Sequence, residues 1–357
     1  MLLIPNEIKN VLKMILDQGF EAYLVGGFVR DSLLYKKTND IDIATNALPK
    51  DLTSIFGPSR KEEKYGSYHL KIENYNIDIT TYRKELSYES GKPCKLMYST
   101  NMLEDAKRRD FTINALYMNK NEEIIDLFNG ESDLKEKRLK MIGNPYVRLR
   151  EDPLRILRAV RFASRYNLKM DKELKRAILK EKKALKDLSI SKIRKELDGI
   201  LLANGFPLLK KLGLLKELGI LNHNIVFVED LSALWAQIKT EKNYVVEKEL
   251  KNNQKTIAMQ LKCGTIKLLD LYEYGYYQCL VIAKILHFPT KKLEKMYQNM
   301  PIHCRKDIAL SIEQIKEISQ KEGREFGDLL KELERQILLK KVKNERESII
   351  KYLKERR

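Results

Sequence analysis

The chain has 357 residues, 43% of them hydrophobic and 33% charged, and its 68 Lys and Arg against 50 Asp and Glu give a formal net charge of +18. That hydrophobic share excludes a disordered protein, and the lack of any run of about 18 apolar residues excludes a membrane-spanning helix. The positive excess points to a polyanionic partner, nucleic acid first and an anionic membrane surface second. Four scattered cysteines (Cys94, Cys263, Cys279, Cys304) form no CxxC pair. They argue against a disulfide framework or zinc site and for free thiols in a reducing, cytosolic compartment.

Apolar residues at helical spacing predict an amphipathic helix over about 5–18, ended by Gly19, and not a signal peptide. EAYLVGG reads as a short strand running into a glycine turn, VRDSLLY as a short helix and DIDIAT as a strand. YHLKIENYNIDITTYR holds two strands with Asn74 in the turn. The polar stretch 82–99, with Gly91 and Pro93, reads as a loop. A β-rich block carrying helices is α/β or α+β. From about residue 126 apolar residues recur every three to four positions and the sequence reads as helical to its end, so a mixed block to about 125 is followed by helical modules.

Side chains alternate along a strand, so Asp40 and Asp42 share one face. Two adjacent carboxylates repel unless a cation sits between them. Mg²⁺ suits the pair because it takes carboxylate oxygens, keeps several waters and bridges to phosphates. Asp78, in the apolar strand NIDITTYR, would be a third carboxylate completing a two-metal site. Gly26-Gly27 lets the backbone approach a ligand and offers N–H groups to a phosphate, and Arg30 lies one turn into the next helix. Neither a P-loop nor a GxGxxG turn is present.

The order LVGGFVRDSLL…DIDIAT resembles the nucleotidyltransferase signature of the polymerase-beta-like superfamily. The whole is similar to the class II tRNA nucleotidyltransferases and bacterial poly(A) polymerases. EDAKRRDFTINALYMN supplies an Arg-Arg-Asp motif at Arg108, Arg109 and Asp110, DLFNG a hinge over Asp126–Gly130, and REDPLRILRAVRFASRYNL a nucleobase-reading helix. The ending is similar to the tail of CCA-adding enzymes of Firmicutes. The resemblance implies an α/β head over 1–125 with a polymerase-beta-like sheet. An all-α neck (126–205), body (206–290) and tRNA-binding tail (291–357) would follow.

It further implies Mg²⁺ on Asp40 and Asp42, with Asp78 as a third catalytic carboxylate. Gly27, Arg30, Arg109, Asp152, Arg155, Arg158 and Arg161 would bind the nucleotide, together with Gly26 of the glycine pair. Arg108 and Asp110 would contact the sugar or structure the site. The sequence departs from the family pattern at Asp78, where Glu is usual, and at Lys140, where the hinge motif usually ends in Arg. In the family a flexible loop occupies the region of 82–99, and this sequence keeps its length, which favours adding the final A.

The implied activity is addition of C, C and A to tRNA 3′ ends from CTP and ATP without a nucleic-acid template. An Asp can accept from the amino group of C or A, and an Arg three residues on can donate to a ring nitrogen, so Asp152 and Arg155 could admit both bases. U and G present the opposite order on that edge and leave buried groups unpaired. The competing readings are an A-adding, CC-adding or poly(A)-making relative, and a non-catalytic RNA-binding homologue. Basic C-terminal helices would grip the tRNA acceptor arm through phosphates.

Overall fold

Ile8, Val11, Leu12 and Ile15 recur at three- and four-residue spacing, and in the computed structural model they are the buried face of α1 (Asn6–Asp17). The structure describes residues 4–59, 66–89, 92–244 and 248–356. They fall into two compact units, one within Met1–Asn224 and Lys239–Val245, the other within Ile225–Ile238 and Val246–Arg357.

The first unit is built on a mixed six-stranded sheet. Its strands are β1 (Ala22–Val25), β2 (Asp40–Thr45), β3 (Ser67–Ile72), β4 (Tyr75–Thr81) and, after a separate ribbon β5 (Arg83–Glu89) and β6 (Lys92–Tyr98), β7 (Leu116–Met118) and β8 (Ile124–Asp126). The spatial order is β3-β4-β2-β1-β7-β8, and only β2 and β4 run parallel. One face packs Leu24, Ile41, Ile43, Ile77 and Ile79 against α1, α2 (Gly27–Leu33) and α3 (Pro49–Phe56). The odd residues of β2 therefore enter the core, and Asp40 and Asp42 emerge on the opposite face.

The expected loop at 82–99 is a correction: β5 and β6 pair as an antiparallel hairpin with register shifts between Glu85 and Tyr88. Its turn, with Gly91, lies outside the described residues. A two-stranded ribbon draws its order from backbone pairing and need not bury an apolar face, so the hydrophobic alternation that marks a sheet strand is missing from its sequence.

Helices then dominate: α4 (Met102–Arg108), α5 (Gly130–Lys135), α6 (Pro145–Glu151), α7 (Leu154–Arg165), α8 (Lys172–Glu181), α9 (Ile190–Leu202) and α10 (Phe206–Lys211). Helix starts follow local chemistry. Asn144 accepts from the Tyr146 and Val147 N–H groups ahead of Pro145, and Asp171 accepts from Glu173 and Leu174. Two short strands, β9 (Arg138–Leu139) and β10 (Lys169–Met170), pair in parallel inside this helical stretch.

The second unit consists of α11 (Leu231–Ala236), α12 (Lys248–Cys263), α13 (Leu268–Ile285, kinked at Gly275), α14 (Thr290–Gln298), α15 (Ile312–Ser319), α16 (Gly323–Leu338) and α17 (Arg346–Lys354). Trp235 is fully buried there. Among the described residues no helix is long and apolar enough to cross a membrane.

Candidate active site

The site begins where β1 turns into α2. Gly26 has φ 71° and ψ −124°, a backbone state open in practice to glycine alone, and a Cβ there would stand 3.2 Å from Asp42 Oδ2. The turn brings the Gly27 N–H to the Asp42 carboxylate as a donor. Register then gathers the acids: Asp42 lies opposite Val25 on one side and Asp78 on the other, and Asp78 faces His69. Asp78 Oδ1 is 2.5 Å from His69 Nδ1, and Asp40 lies 3.5 Å from Asn76 Nδ2.

Asp42 is exposed at the surface, yet its carboxylate lines a cavity and is partly desolvated by the protein around it. That desolvation raises its pKa, Arg109 opposes the rise, and the charges of Asp78 and Asp40 add to it. Among the described residues no three His, Cys, Asp or Glu side chains form a ready-made metal cluster. A pair of like charges on one strand face suits Mg²⁺ all the same, because that ion takes one or two carboxylates and fills its remaining positions with water and phosphate oxygens.

The cavity holds about 520 Å³. Eleven of the thirteen residues singled out from the sequence line it, among them Gly26, Gly27, Arg30, Asp42, Arg109, Asp152, Arg155, Arg158 and Arg161. Asp40 and Asp78 are outside its lining, on the same sheet face beside Asp42. Arg83, Arg108, Asp110, Asn114 and Phe162 complete the wall. Seven arginines against three aspartates make this a site for a multiply charged anion.

Arg30, Arg158 and Arg161 are held by partners distant in sequence, Arg109 and Arg155 by nearer ones. Arg109 is anchored to the fully buried Asp105 (Nη2 to Oδ2, 3.0 Å) and to the Tyr117 hydroxyl (3.1 Å). Burial would raise the Asp105 pKa, but the Arg109 and Arg108 guanidinium groups outweigh it and hold the carboxyl below its usual range. Arg30 is itself buried. It donates to Asp31, to the Asn114 side-chain oxygen and to the Tyr166 hydroxyl (2.6 Å), and its guanidinium lies 4.4 Å from the Tyr166 ring.

Asp110 accepts from Arg158 Nε and Nη2 at 2.7 and 2.6 Å, from Asn114 at 2.9 Å and from the Phe111 N–H at 2.8 Å. Burial alone would raise its pKa. The Arg158 charge and these donors prevail and hold it down to about 2.

Asp152 occupies the joint between α6 and α7, where its Oδ1 accepts from the Leu154 N–H. Burial raises its pKa against the pull of Arg155, whose Nε lies 3.9 Å from Asp152 Oδ2. Arg155 is buried, with Nη1 donating to the Arg148 carbonyl at 2.9 Å. One turn and two turns on, Arg158 and Arg161 both reach Glu196 of α9, at 3.8 and 2.7 Å. A Cβ on Gly199 would stand 2.5 Å from Arg161 Cδ, so glycine there leaves Arg161 its path.

The sequence reading missed Asn114, Phe162, Tyr166, Asp105 and Glu196. Asn114 left one trace, a polar residue inside the otherwise apolar FTINALY.

Residues 22–140 match the Poly A polymerase head domain, and residues 250–353 match the family described as tRNA nucleotidyltransferase domain 2 putative. The protein is similar to the CCA-adding enzyme of Lactococcus lactis subsp. lactis, 31% identical over 98% of both sequences. It is 29% identical to that of Enterococcus faecalis, with 99% of its own length and 97% of the relative's covered. Its fold superposes on the Bacillus stearothermophilus CCA-adding enzyme in complex with CTP with a TM-score of 0.81, at 25% identity, with 98% of its own length and 96% of the other's covered.

Proposed function

The chain belongs to the CCA-adding family of tRNA nucleotidyltransferases, and from that premise we propose that it builds the complete 3′ CCA of tRNA from CTP and ATP. The observation that carries this reading is that Asp42 and the Asp152–Arg155 pair line one arginine-walled cavity, so a reacting phosphate and a base-reading edge fit the same pocket.

Asp40 and Asp42 would hold Mg²⁺, which when bound lowers the pKa of the attacking 3′-hydroxyl and neutralises the departing pyrophosphate. Arg109, Arg158 and Arg161, with Arg30 and the close-approaching backbone of Gly26 and Gly27, bind the triphosphate. Their buried carboxylate partners fix each guanidinium before substrate arrives, so little ordering entropy is lost on binding. The tRNA 3′-hydroxyl attacks the α-phosphorus and pyrophosphate leaves. Asp78 adds negative charge beside Asp42, and His69 orients its carboxylate.

Asp152 accepts from the amino group of C or A while Arg155 donates to the ring nitrogen. U or G would leave both groups unpaired, at about 1–3 kcal/mol each. Residues 1–125 act as head, 126–205 as neck, 206–290 as body and 291–357 as the tRNA-binding tail.

The test supplies tRNA ending at the discriminator base, at C or at CC, with CTP and ATP singly and together. Full CCA from each end supports the proposal. Growth only from the CC end would mean an A-adding enzyme, arrest at CC a CC-adding one, and long tails a poly(A) polymerase. No incorporation under any condition would leave an RNA-binding homologue.

A further inference from the structure

Outside the cavity, one large hydrophobic side chain is placed at a conformational cost with no gain in burial. Tyr35, which follows α2, is 81% exposed, the highest value among the exposed large hydrophobic side chains of the described residues. Its φ is 56°, in the left-handed region that bulky side chains avoid and glycine enters freely. Folding stability does not explain a large ring there. The next two residues, Lys36 and Lys37, are exposed cations.

A second stretch of sequence brings further charge to the same place. Lys36 Nζ lies 4.8 Å from the Tyr166 ring centre and the Arg165 guanidinium 5.5 Å from that same ring. Arg30 lies over it as well, but Asp31 answers its charge at 3.0 Å. Among the described residues no ion pair engages Lys36, Lys37 or Arg165. Arg30 also lines the cavity, so Tyr166 joins this patch to the site.

We propose that Tyr35, Lys36, Lys37 and Arg165 form a docking surface for a single-stranded stretch of the RNA substrate next to its reacting end. This rests on the functional reading above. The chemistry fits that occupant: every base has a face that stacks on a tyrosine ring, and lysine and arginine meet phosphates whatever the sequence. Such tolerance is what a substrate requires when its terminal sequence changes at each addition. Tyr35 lies five positions before Asp40, which limits its backbone to about 18 Å from that of Asp40.

The test compares the full-length protein with Tyr35→Gly, Tyr35→Phe and the double variant Lys37→Ala/Arg165→Ala. It measures the Kd for a tRNA ending at CC across a salt series, the KM for CTP at saturating tRNA lacking its CCA, and the melting temperature. Tyr35→Gly should weaken RNA binding roughly tenfold, with the CTP KM unchanged and the melting temperature equal or higher, because glycine relieves the strained φ. Tyr35→Phe should bind as the parent does. The double variant should flatten the salt slope by about 1.4, two single-strand phosphate contacts.

A Tyr35→Gly protein binding RNA within twofold of the parent overturns the proposal, as does a Tyr35→Phe protein that loses as much as the glycine variant. If the parent extends the tRNA and the variants bind normally, only the patch is refuted. If the parent binds RNA through Tyr35 without extending it, the patch stands and the functional reading falls.

Discussion

Replacing Asp110 by Asn would test whether the cavity's arginines are held by charge or merely by packing. Asp110 falls from an ordinary value of 3.8 to about 2 in the folded protein. At about 1.4 kcal/mol per pH unit, the folded state gains roughly 2 kcal/mol at neutral pH from ionising this one group. Because the folded value lies below the unfolded one, the gain is complete above about pH 5 and is lost as pH falls toward 2. About half of it remains at pH 3.

Asp110→Asn also leaves the half-buried Arg158 with Glu196, at 3.8 Å, and the weaker field of Asp152 to answer its charge. The expected loss at pH 7 is therefore about 2–4 kcal/mol, shrinking by about 1 kcal/mol at pH 3. The only tryptophan, Trp235, belongs to the second unit, so its fluorescence does not report on this pair. A urea series read by pulse hydrogen exchange on peptides spanning α7 does. A loss that is the same at pH 3 and pH 7, or below about 0.5 kcal/mol at both, would refute the electrostatic account.

Three further outcomes follow from the site. Asp42→Asn should lower nucleotide incorporation at least a thousandfold by rough expectation for a metal carboxylate. It should also raise the melting temperature at pH 7, because the folded pKa of Asp42 is raised and its charge opposes folding above that value; a melting temperature that falls would contradict the repulsion described. Gly26→Ala should cost about 1–3 kcal/mol in a denaturant titration, from the positive φ and the 3.2 Å approach to Asp42, and an unchanged midpoint would remove the turn from the argument. Asp152→Ala and Arg155→Ala should each blur the choice of C and A over U and G more than they slow addition, and strict selection in both would end the Asp–Arg template.

Much of the first unit could be read directly from the sequence. The alternation in DIDIAT placed Asp40 and Asp42 on one face because the odd residues, Ile41 and Ile43, had to enter a core. The threefold spacing of Arg155, Arg158 and Arg161 placed all three along one wall. What stayed hidden was what each arginine answers to. Asn114 meets Arg30 from 84 residues away, Tyr166 from 136, and Glu196 meets Arg161 from 35. No local periodicity encodes such meetings; the fold creates them. The hairpin at 83–98 escaped for the opposite reason, since its order lies in backbone pairing and not in side-chain pattern.

The clasp of Asp110 and Asn114 on Arg158 and Arg30 has a consequence for anyone who would transplant specificity. The carboxylates proposed to hold metal and the helix proposed to read the base come from opposite ends of a roughly 120-residue stretch, and the clasp fastens their walls together inside one unit. A chimera that grafts a foreign helix in place of Leu154–Arg165 would replace Arg155 but strip Asp110 of Arg158, and so slacken the Asn114 link to Arg30 at the far wall. On the proposed reading, nucleotide choice is therefore not a detachable cassette. It has to be exchanged together with the RRDFTIN segment that grips it, and variants from shuffled libraries should survive only when both pieces travel as a pair.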